Sequence, residues 1–522
     1  MGLPTFVPAL VVGAGPTGLL TANLLGTYGV ETLVVERNAT TSDLPKAILL
    51  DDEGLRAMQA VGLAERVVER LISGYGARYY GPDGGCFAEV ESRVTRNGYP
   101  HRNSFLQPDL EGIMAVGLDR FKGVRAEFRT RLVALRNEGE RVAVTLELAD
   151  RSLHEMGCQF LLGCDGGRST VRDQLGIGMA GMTDSRDWVV VDTVNDPDPD
   201  PFSKFFCDPA RPMVSIPAPG GGRRYEYMIL PGEDAELLSR REMMRSVLSR
   251  FRLVPDEDIL RAVVYTFHAR VAQKLTSGRI ALLGDAAHLS PPFAGQGMNA
   301  GLRDAFNVAW KVKLGLDDSS SAKILQTYET ERMGPATEMI EYAVALGEIV
   351  MPVGGVDEAA KARIRDHLIG GTGSLRGRPE SVYTDGWLLP SSHESLVGTT
   401  FPQFPVRLED GDVRLLDDVL GAGFALIAIG DEAAHSLAEL AQSATLPLAA
   451  SVVAIGGKGP EIAGVTAVDN DFGLSKEVGR IFLVRPDRFV AAQWTVPDVR
   501  RIAEDVSSLL FPSTVRQRGG FE

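Results

Sequence analysis

This 522-residue chain is short of cysteine, of positive charge and of long apolar runs, and each shortage excludes a class of function. Its four cysteines, Cys86, Cys158, Cys164 and Cys207, show neither C-x-x-C nor metal-ligand spacing. That speaks against a disulfide framework and a bound metal, and all four read as small, reduced, buried hydrophobes. Lys and Arg number 54 against 69 Asp and Glu, a formal net charge of −15. A nucleic acid or an anionic membrane would want a basic face, so neither is expected as a partner. No apolar run approaches the roughly 18 residues of a membrane span. The first expected strand starts too close to Met1 to leave room for a signal peptide, and Phe6 stands where a myristoylation signal wants Ser or Thr. A cytoplasmic protein of two or three domains is expected, without repeats or low-complexity tracts.

What the chain does have is a glycine-punctuated opening, ALVVGAGPTGLLTANLLGTYGVETLVVER, from Ala9 to Arg37. Ala9 to Val12 read as a buried parallel strand, Gly13, Gly15 and Gly18 follow in G-x-G-x-x-G spacing, and Leu19 to Tyr28 supply an apolar helix. A second strand, Thr32 to Val35, ends in Glu36, roughly 20 residues beyond the glycines. Gly13 permits the tight turn, Gly15 lets backbone approach a pyrophosphate, and Gly18 lets helix and strand pack closely. The helix start then turns free N–H groups and a positive dipole end toward phosphate, and Glu36 would hold ribose hydroxyls.

Two further stretches repeat the pattern of a strand feeding a small-residue turn. FLLGCDGGRSTVR (Phe160 to Arg172) ends its strand in Asp165-Gly166-Gly167 before a helix near Ser169; alone, Asp-Gly is ordinary turn chemistry. In GRIALLGDAAHLSPPFAGQGMNAGLRDAFNVAWK (Gly278 to Lys311), the strand Ile280 to Leu283 closes at Asp285, and Pro291 to Asn299 form a glycine-rich loop opening a long helix. Between these stretches, Leu55, Met58 and Val61 recur at helical spacing up to Gly62, with Asp51, Asp52 and Glu53 before them as caps or as ligand contacts. A helix is expected from Asp109, with Gln107 at its approach. Strands over 124–128, 132–135 and 142–148 suggest a small sheet with a turn at Asn137 to Gly139.

Together, and in this order, the three stretches resemble the class A FAD-dependent aromatic hydroxylases, flavoprotein monooxygenases. The runs LLDDEGLRAMQ, VVDTVND and RRYEYMILPGE look closest to the 3-(3-hydroxyphenyl)propionate hydroxylase branch. The resemblance implies an α/β fold, in which a Rossmann-like FAD-binding domain (1–180 and 273–350) is interleaved with an α+β substrate-binding domain (181–272). A linker (351–400) and a C-terminal thioredoxin-like α/β domain (401–522) follow. That last domain has no cysteine, which excludes dithiol redox chemistry and leaves packing or subunit contact, as in a homodimer.

The resemblance also implies site residues. Gly13, Gly15, Pro16, Thr17 and Gly18 would cradle the dinucleotide, with Glu36 and Arg37 beside its ribose. Gln107 would touch the ribityl or phosphate region, and Asp165-Gly166 would lie near the pyrophosphate and nicotinamide route. Gly284-Asp285 would meet the ribityl chain. Pro292, Gly295 and Gly297 would keep side chains away from the flavin ring, with Met298 and Asn299 opening the helix aimed at its pyrimidine edge. Lys46 stands where the family usually has Arg, which keeps charge but loses planar bidentate binding. NADH or NADPH would reduce FAD, and reduced FAD would take up O2 as a flavin hydroperoxide that attacks an electron-rich ring.

A phenol ionises only near pH 10, so the site needs a base or an acceptor beside it. Asp52 and Glu53 are the preferred candidates, with Tyr225 and His268 as others; His268 reads more readily as a structural histidine. Along 223–228 the strand period puts Arg223, Tyr225 and Tyr227 on one face and Arg224, Glu226 and Met228 on the other. One face should meet the flavin chamber. Arg223 or Arg224 would clamp a substrate carboxylate, or form a solvated edge, and Tyr227, Pro292 and Phe293 would touch the ring.

The expected substrate is a phenolic acid such as 3-(3-hydroxyphenyl)propanoate. A polycyclic aromatic polyketide and a non-catalytic flavin scaffold are the alternatives. A halogenase is disfavoured because Trp188, Trp310, Trp387 and Trp494 are isolated and W-x-W-x-I-P is missing.

Overall fold

Ala9 to Val12 carry no polar side chain, and they form the buried end of the strand Phe6–Val12. In the computed structural model this strand is the middle of a parallel sheet, with Thr32–Glu36 on one side and Leu153–Gly163 on the other. Val124–Phe128 adds in parallel beyond Thr32–Glu36, and Ile280–Leu282 beyond Leu153–Gly163. The structure describes residues 2–43, 46–249, 253–317, 323–351, 357–359, 361–362, 366, 378–391, 395–443, 447–457, 463–467 and 473–510.

Helices Pro16–Thr27 and Gly297–Asp317 pack on one another over this sheet. Successive residues 9–12, 32–35 and 160–163 are all buried, so both faces of the central strands are covered, which is why they read as unbroken apolar runs. Val12, Glu36, Gly163 and Leu282 all end at the same carboxyl edge, so the Gly13 turn, Glu36, Asp165 and Asp285 are gathered there by topology alone.

The strands over 124–148 do not make a separate small sheet. Val124–Phe128 belongs to the parallel sheet, and the hairpin Arg131–Asn137 with Val142–Glu147 pairs antiparallel onto Leu153–Gly163. The helix expected from Asp109 begins earlier, at Gln107, because Pro108 suits a first helical turn. The long helix opened by the glycine loop is Gly297–Asp317, and a second, Gln326–Val350, follows it.

A second sheet of eight strands runs in the order 288–289, 259–272, 179–193, 222–228, 213–218, 202–206, 76–80 and 86–90. It draws two strands, Gly76–Tyr80 and Cys86–Val90, from well before residue 181. Cys86 is exposed there, against the expectation that all four thiols are buried, while Cys158 and Cys207 are buried and Cys164 is partly so.

The C-terminal unit is a third sheet in which Phe424–Ile429, Ala450–Ile455 and Ala463–Ala467 run parallel. Arg480–Val484 and Val490–Thr495 follow antiparallel on one side, with helices Asp431–Ser443 and Ile502–Leu510 against it. Trp310 of the first domain packs edge-on against Trp387 and Phe424. Much of the linker expected over 351–400, and the chain end beyond 510, lies outside the described residues.

Candidate active site

At the carboxyl edge of the first sheet lies a cavity of about 1160 Å³. It is larger than the roughly 300–1,000 Å³ of an ordinary small-molecule site, which leaves room for a cofactor and a second ligand together. One end is lined by Gly13, Gly15, Pro16, Thr17, Glu36, Arg37 and Lys46, and by Gln107, Asp165 and Gly166. Asp285, Pro292, Phe293, Gly295, Gly297 and Met298 line it further in. The second sheet also lines it, through Phe205, Val214, Ile216, Arg224 and Glu226, together with Tyr75 and Arg102 from outside the strands.

The three glycines of the first turn divide by what they touch. A Cβ on Gly13, whose φ is +105°, would stand 2.4 Å from the Cys164 carbonyl oxygen, and one on Gly18 would stand 1.9 Å from that of Gly13. Those two serve the fold, and Gly18 does not line the cavity. A Cβ on Gly15 would meet no protein atom within 4 Å, and the same is true of Gly166 and Gly297. Their bare backbone faces open cavity. Helix Pro16–Thr27 starts at Gly15 with no side chain capping it, so its first N–H groups are left for a ligand.

Glu36 accepts from the Ala14 N–H at 2.9 Å and the Asn38 N–H at 2.8 Å, which fixes it at the turn. Gln107 accepts from the Ala47 N–H at 2.7 Å and donates to Glu111 at 2.7 Å, pinning the segment that carries Lys46. Asp165 accepts from Ser169 Oγ at 2.5 Å and from the Val171 N–H at 3.1 Å, so its carboxylate caps the helix Thr170–Gln174 while its turn faces the cavity.

Asp285 opens into the cavity although protein surrounds it. Burial pushes its carboxyl above the ordinary value, with His288 and Lys46 opposing. Gly284 is set behind it, donating its N–H to Asp304 at 2.9 Å, and His288 Nε2 meets the same carboxylate at 2.6 Å. Asn299 is buried rather than facing the cavity. It donates to the carbonyls of Leu49 and Gly295 at 2.9 and 2.8 Å and so holds the glycine loop in place.

The expected catalytic and substrate residues require corrections. Asp52 and Glu53 do not line the cavity. Asp52 binds Arg378 at 2.6 Å, Thr95 at 2.5 Å and Asn97 at 2.7 Å, and Glu53 binds Arg303 at 2.6 Å and Arg378 at 2.5 Å. Burial works against both charges. Arg378 with the hydrogen bonds from Thr95 and Asn97 holds Asp52 well below the usual carboxylate range, and the two arginines bring Glu53 to about 2. A pair of acids so fully engaged is structural.

Tyr225 and Tyr227 face away from the cavity into a buried layer, donating to Asp196 at 2.9 Å and to the Leu238 carbonyl at 3.0 Å. Arg223 shares that face and is spent on Ser215 Oγ at 2.9 Å and the carbonyls of Asp200 and Phe202 at 2.7 and 2.9 Å. Arg224 faces the cavity, yet Asp192 already neutralises it at 2.8 Å and the Lys46 carbonyl takes its Nη1 at 2.7 Å. His268 lines the cavity and meets Thr183 Oγ1 at 3.1 Å.

Sequence reasoning missed Tyr75, Arg102 and Phe205, and it put Glu226 on one of two faces without choosing between them. Arg102 stacks over the Tyr75 ring at 4.8 Å, and its Nη2 lies 3.5 Å from the Tyr75 hydroxyl. Its Nε is buried without a partner, and among the described residues no carboxylate pairs with it.

Residues 6–343 match the family described as FAD binding domain, and residues 398–509 match the HcaD C-terminal domain. The 3-(3-hydroxy-phenyl)propionate/3-hydroxycinnamic acid hydroxylases of Escherichia coli O139:H28 (strain E24377A / ETEC) and Shigella sonnei (strain Ss046) are each 36% identical to the chain. The match spans 513 residues, 93% of this chain and 91% of each relative. The chain belongs to the FAD-dependent aromatic hydroxylases.

The fold agrees. The ternary complex of aklavinone-11 hydroxylase with FAD and aklavinone superposes with a TM-score of 0.80 at 24% identity, over 98% of this chain and all of the other. The flavin-dependent monooxygenase PieE, in complex with FAD and substrate, gives 0.79 at 21% over the same shares. FAD fits this hydroxylase on its own geometry: bare glycine backbone at residues 15, 166 and 297, an uncapped helix start, and Asp285 unobstructed at the cavity wall.

Proposed function

We propose that this hydroxylase uses NADH or NADPH and O2 to hydroxylate a phenolic acid, 3-(3-hydroxyphenyl)propanoate or a close analogue. The carrying observation is the cavity that joins the glycine cradle to a chamber containing Arg102, with which no carboxylate pairs among the described residues. Relatives named for 3-(3-hydroxyphenyl)propionate over nine-tenths of the chain support the same substrate class.

Bound FAD would supply the activated oxygen, and the chain's own residues do the rest. Glu36 and the helix start at Pro16 bind and orient the nucleotide half. Asp285 accepts hydrogen bonds from a polyhydroxyl chain, and the helix start at Gly297 favours negative charge at the flavin edge. Phe205, Val214 and Ile216 keep water from the ring to be oxidised, and Arg102 takes the carboxylate. We read the C-terminal unit as a thioredoxin-like scaffold without a dithiol. Three parallel strands followed by an antiparallel pair support that reading.

The test is a substrate screen with purified holoenzyme, following NAD(P)H loss and hydroxylated product together. Hydroxyphenylpropanoates should give stoichiometric product. Product only from a planar polyketide would move the assignment to that class, and peroxide alone from every phenol would favour a flavin-holding scaffold.

A further inference from the structure

We propose that Glu226 is the group that accepts the phenol proton; the assignment rests on the phenolic-acid reading above. The acids along the cavity differ in how they are used. Glu36 holds two backbone N–H groups, Glu111 holds Gln107 and the Ser42 N–H, Asp165 caps a helix, and Asp173 meets Arg172. Asp285 belongs to the flavin turn. Glu226 alone among them stands on the substrate sheet, between Val190 and Val214 in the strand ladder, with its side chain toward the chamber. It is only 9% exposed, and among the described residues no donor reaches its carboxylate.

An acceptor on the cavity wall that no protein donor reaches is open to one from a ligand, and a phenol hydroxyl is such a donor. The charged groups that face it are few. Arg224 lies two residues back on the same strand, Asp192 sits on the neighbouring strand, and Tyr75 approaches from the other side with Arg102 behind it. Burial raises the carboxyl, with Arg224 opposing and Asp192 adding to the rise, so it ionises above the ordinary carboxylate range. Arg102 and Glu226 thus flank Tyr75, a cation for the acid end of the substrate and an anion for its hydroxyl.

The step is a proton transfer. The phenol O–H bond breaks, the proton forms a new O–H bond on a Glu226 carboxylate oxygen, and the freed electron pair moves into the ring, making its ortho carbon nucleophilic. After oxygen transfer that carbon loses its hydrogen as a proton to water, the proton on Glu226 returns to the substrate oxygen, and the carboxylate is restored.

The experiment compares holoenzyme with Glu226→Gln and Glu226→Asp, matched for FAD content. Glu226→Gln should lower kcat by about 100-fold, with substrate binding to the oxidised enzyme, titrated by flavin absorbance, changed less than about threefold. Wild-type kcat should fall as pH drops through the Glu226 ionisation, and Glu226→Gln should lose that limb. Glu226→Asp should keep the limb at reduced rate. Ring-fluorinated substrates, whose phenol is more acidic, should narrow the gap between wild type and Glu226→Gln. An unchanged pH profile, or an equal loss with acidic and ordinary phenols, overturns the assignment while leaving the phenolic-acid reading intact. Wild type that hydroxylates no phenol overturns the reading instead.

Discussion

At the scale of single residues, the glycines of the first turn separate folding from binding. Gly15 has a φ of −77°, which any residue tolerates, and its missing Cβ points into open cavity. Gly15→Ala should therefore leave apoprotein stability within about 0.5 kcal/mol and weaken FAD binding by about tenfold or more, read by thermal melts and by flavin-fluorescence titration. Gly13→Ala and Gly18→Ala place a methyl against backbone, and each should cost more than about 2 kcal/mol. Arg102→Met should raise KM for a carboxylate substrate by roughly 100-fold and leave the KM of its amide nearly unchanged, whereas equal effects on acid and amide would remove the clamp. These two sites also mark the limit of sequence reading. A positive-φ glycine between strand and helix announces itself, because no other residue fits. Arg102 carries no local sign, since its meaning comes from Tyr75, which stands just before the strand Gly76–Tyr80 of a sheet built mainly more than a hundred residues later.

At the scale of elements, the same contrast recurs. The strands of the first sheet were legible because each is apolar throughout, and their common carboxyl edge then placed Glu36, Asp165 and Asp285 together. The strand Gly222–Met228 has the right period, but every residue in it is buried, so alternation could not tell the chamber face from the packed face. The Asp51–Glu53 acids misled for a related reason. Their partner Arg378 is 325 residues from Glu53 in sequence, and acids at a helix start look alike whether they await a ligand or an arginine.

Helix Gly297–Asp317 carries the least visible device, Asp304. Its carboxylate accepts from the Gly284 N–H, His288 and Arg332 Nε, the last at 2.9 Å. Burial alone would raise it, but His288 and Arg332 hold it well below the usual carboxylate range. Asp304 thereby sets the turn that presents Asp285. Asp304→Asn should loosen that turn, lowering FAD affinity at least tenfold while leaving the far-UV spectrum intact, and unchanged affinity would mean that the turn is held by other contacts.

At the scale of the whole molecule, two helices of the flavin domain are fastened to the C-terminal sheet through one carboxylate. Glu331 accepts from Lys311 Nζ at 2.7 Å, Asn307 at 2.6 Å, the Trp387 N–H at 2.8 Å and both Arg485 terminal nitrogens at 2.9 and 2.7 Å. Burial opposes its charge, yet Arg485 and Lys311 bring its ionisation from 4.5 down to about 2. A carboxylate depressed in this way contributes stability that is complete above pH 4.5 and is lost as pH falls through about 2, an effect of ~3 kcal/mol. Lys311 is pushed down by burial to about 8 from 10.5, against the pull of Glu331. The unfolded chain therefore holds that proton more tightly, and stability rises as pH climbs from 8 to 10.5.

Glu331→Gln leaves Lys311 buried without its carboxylate and Arg485 with Asp487 alone, a loss of about 3–5 kcal/mol. Trp310 and Trp387, whose ring centroids are 5.3 Å apart at this junction, report on it directly through tryptophan fluorescence. In wild type, fluorescence and far-UV circular dichroism should change together as urea is raised. In Glu331→Gln, fluorescence should shift at lower urea than secondary structure is lost, and the acid-side decline in stability should flatten. Coincident transitions at the wild-type midpoint would show that other contacts, Arg56 with Asp417 among them, hold the two units together without Glu331.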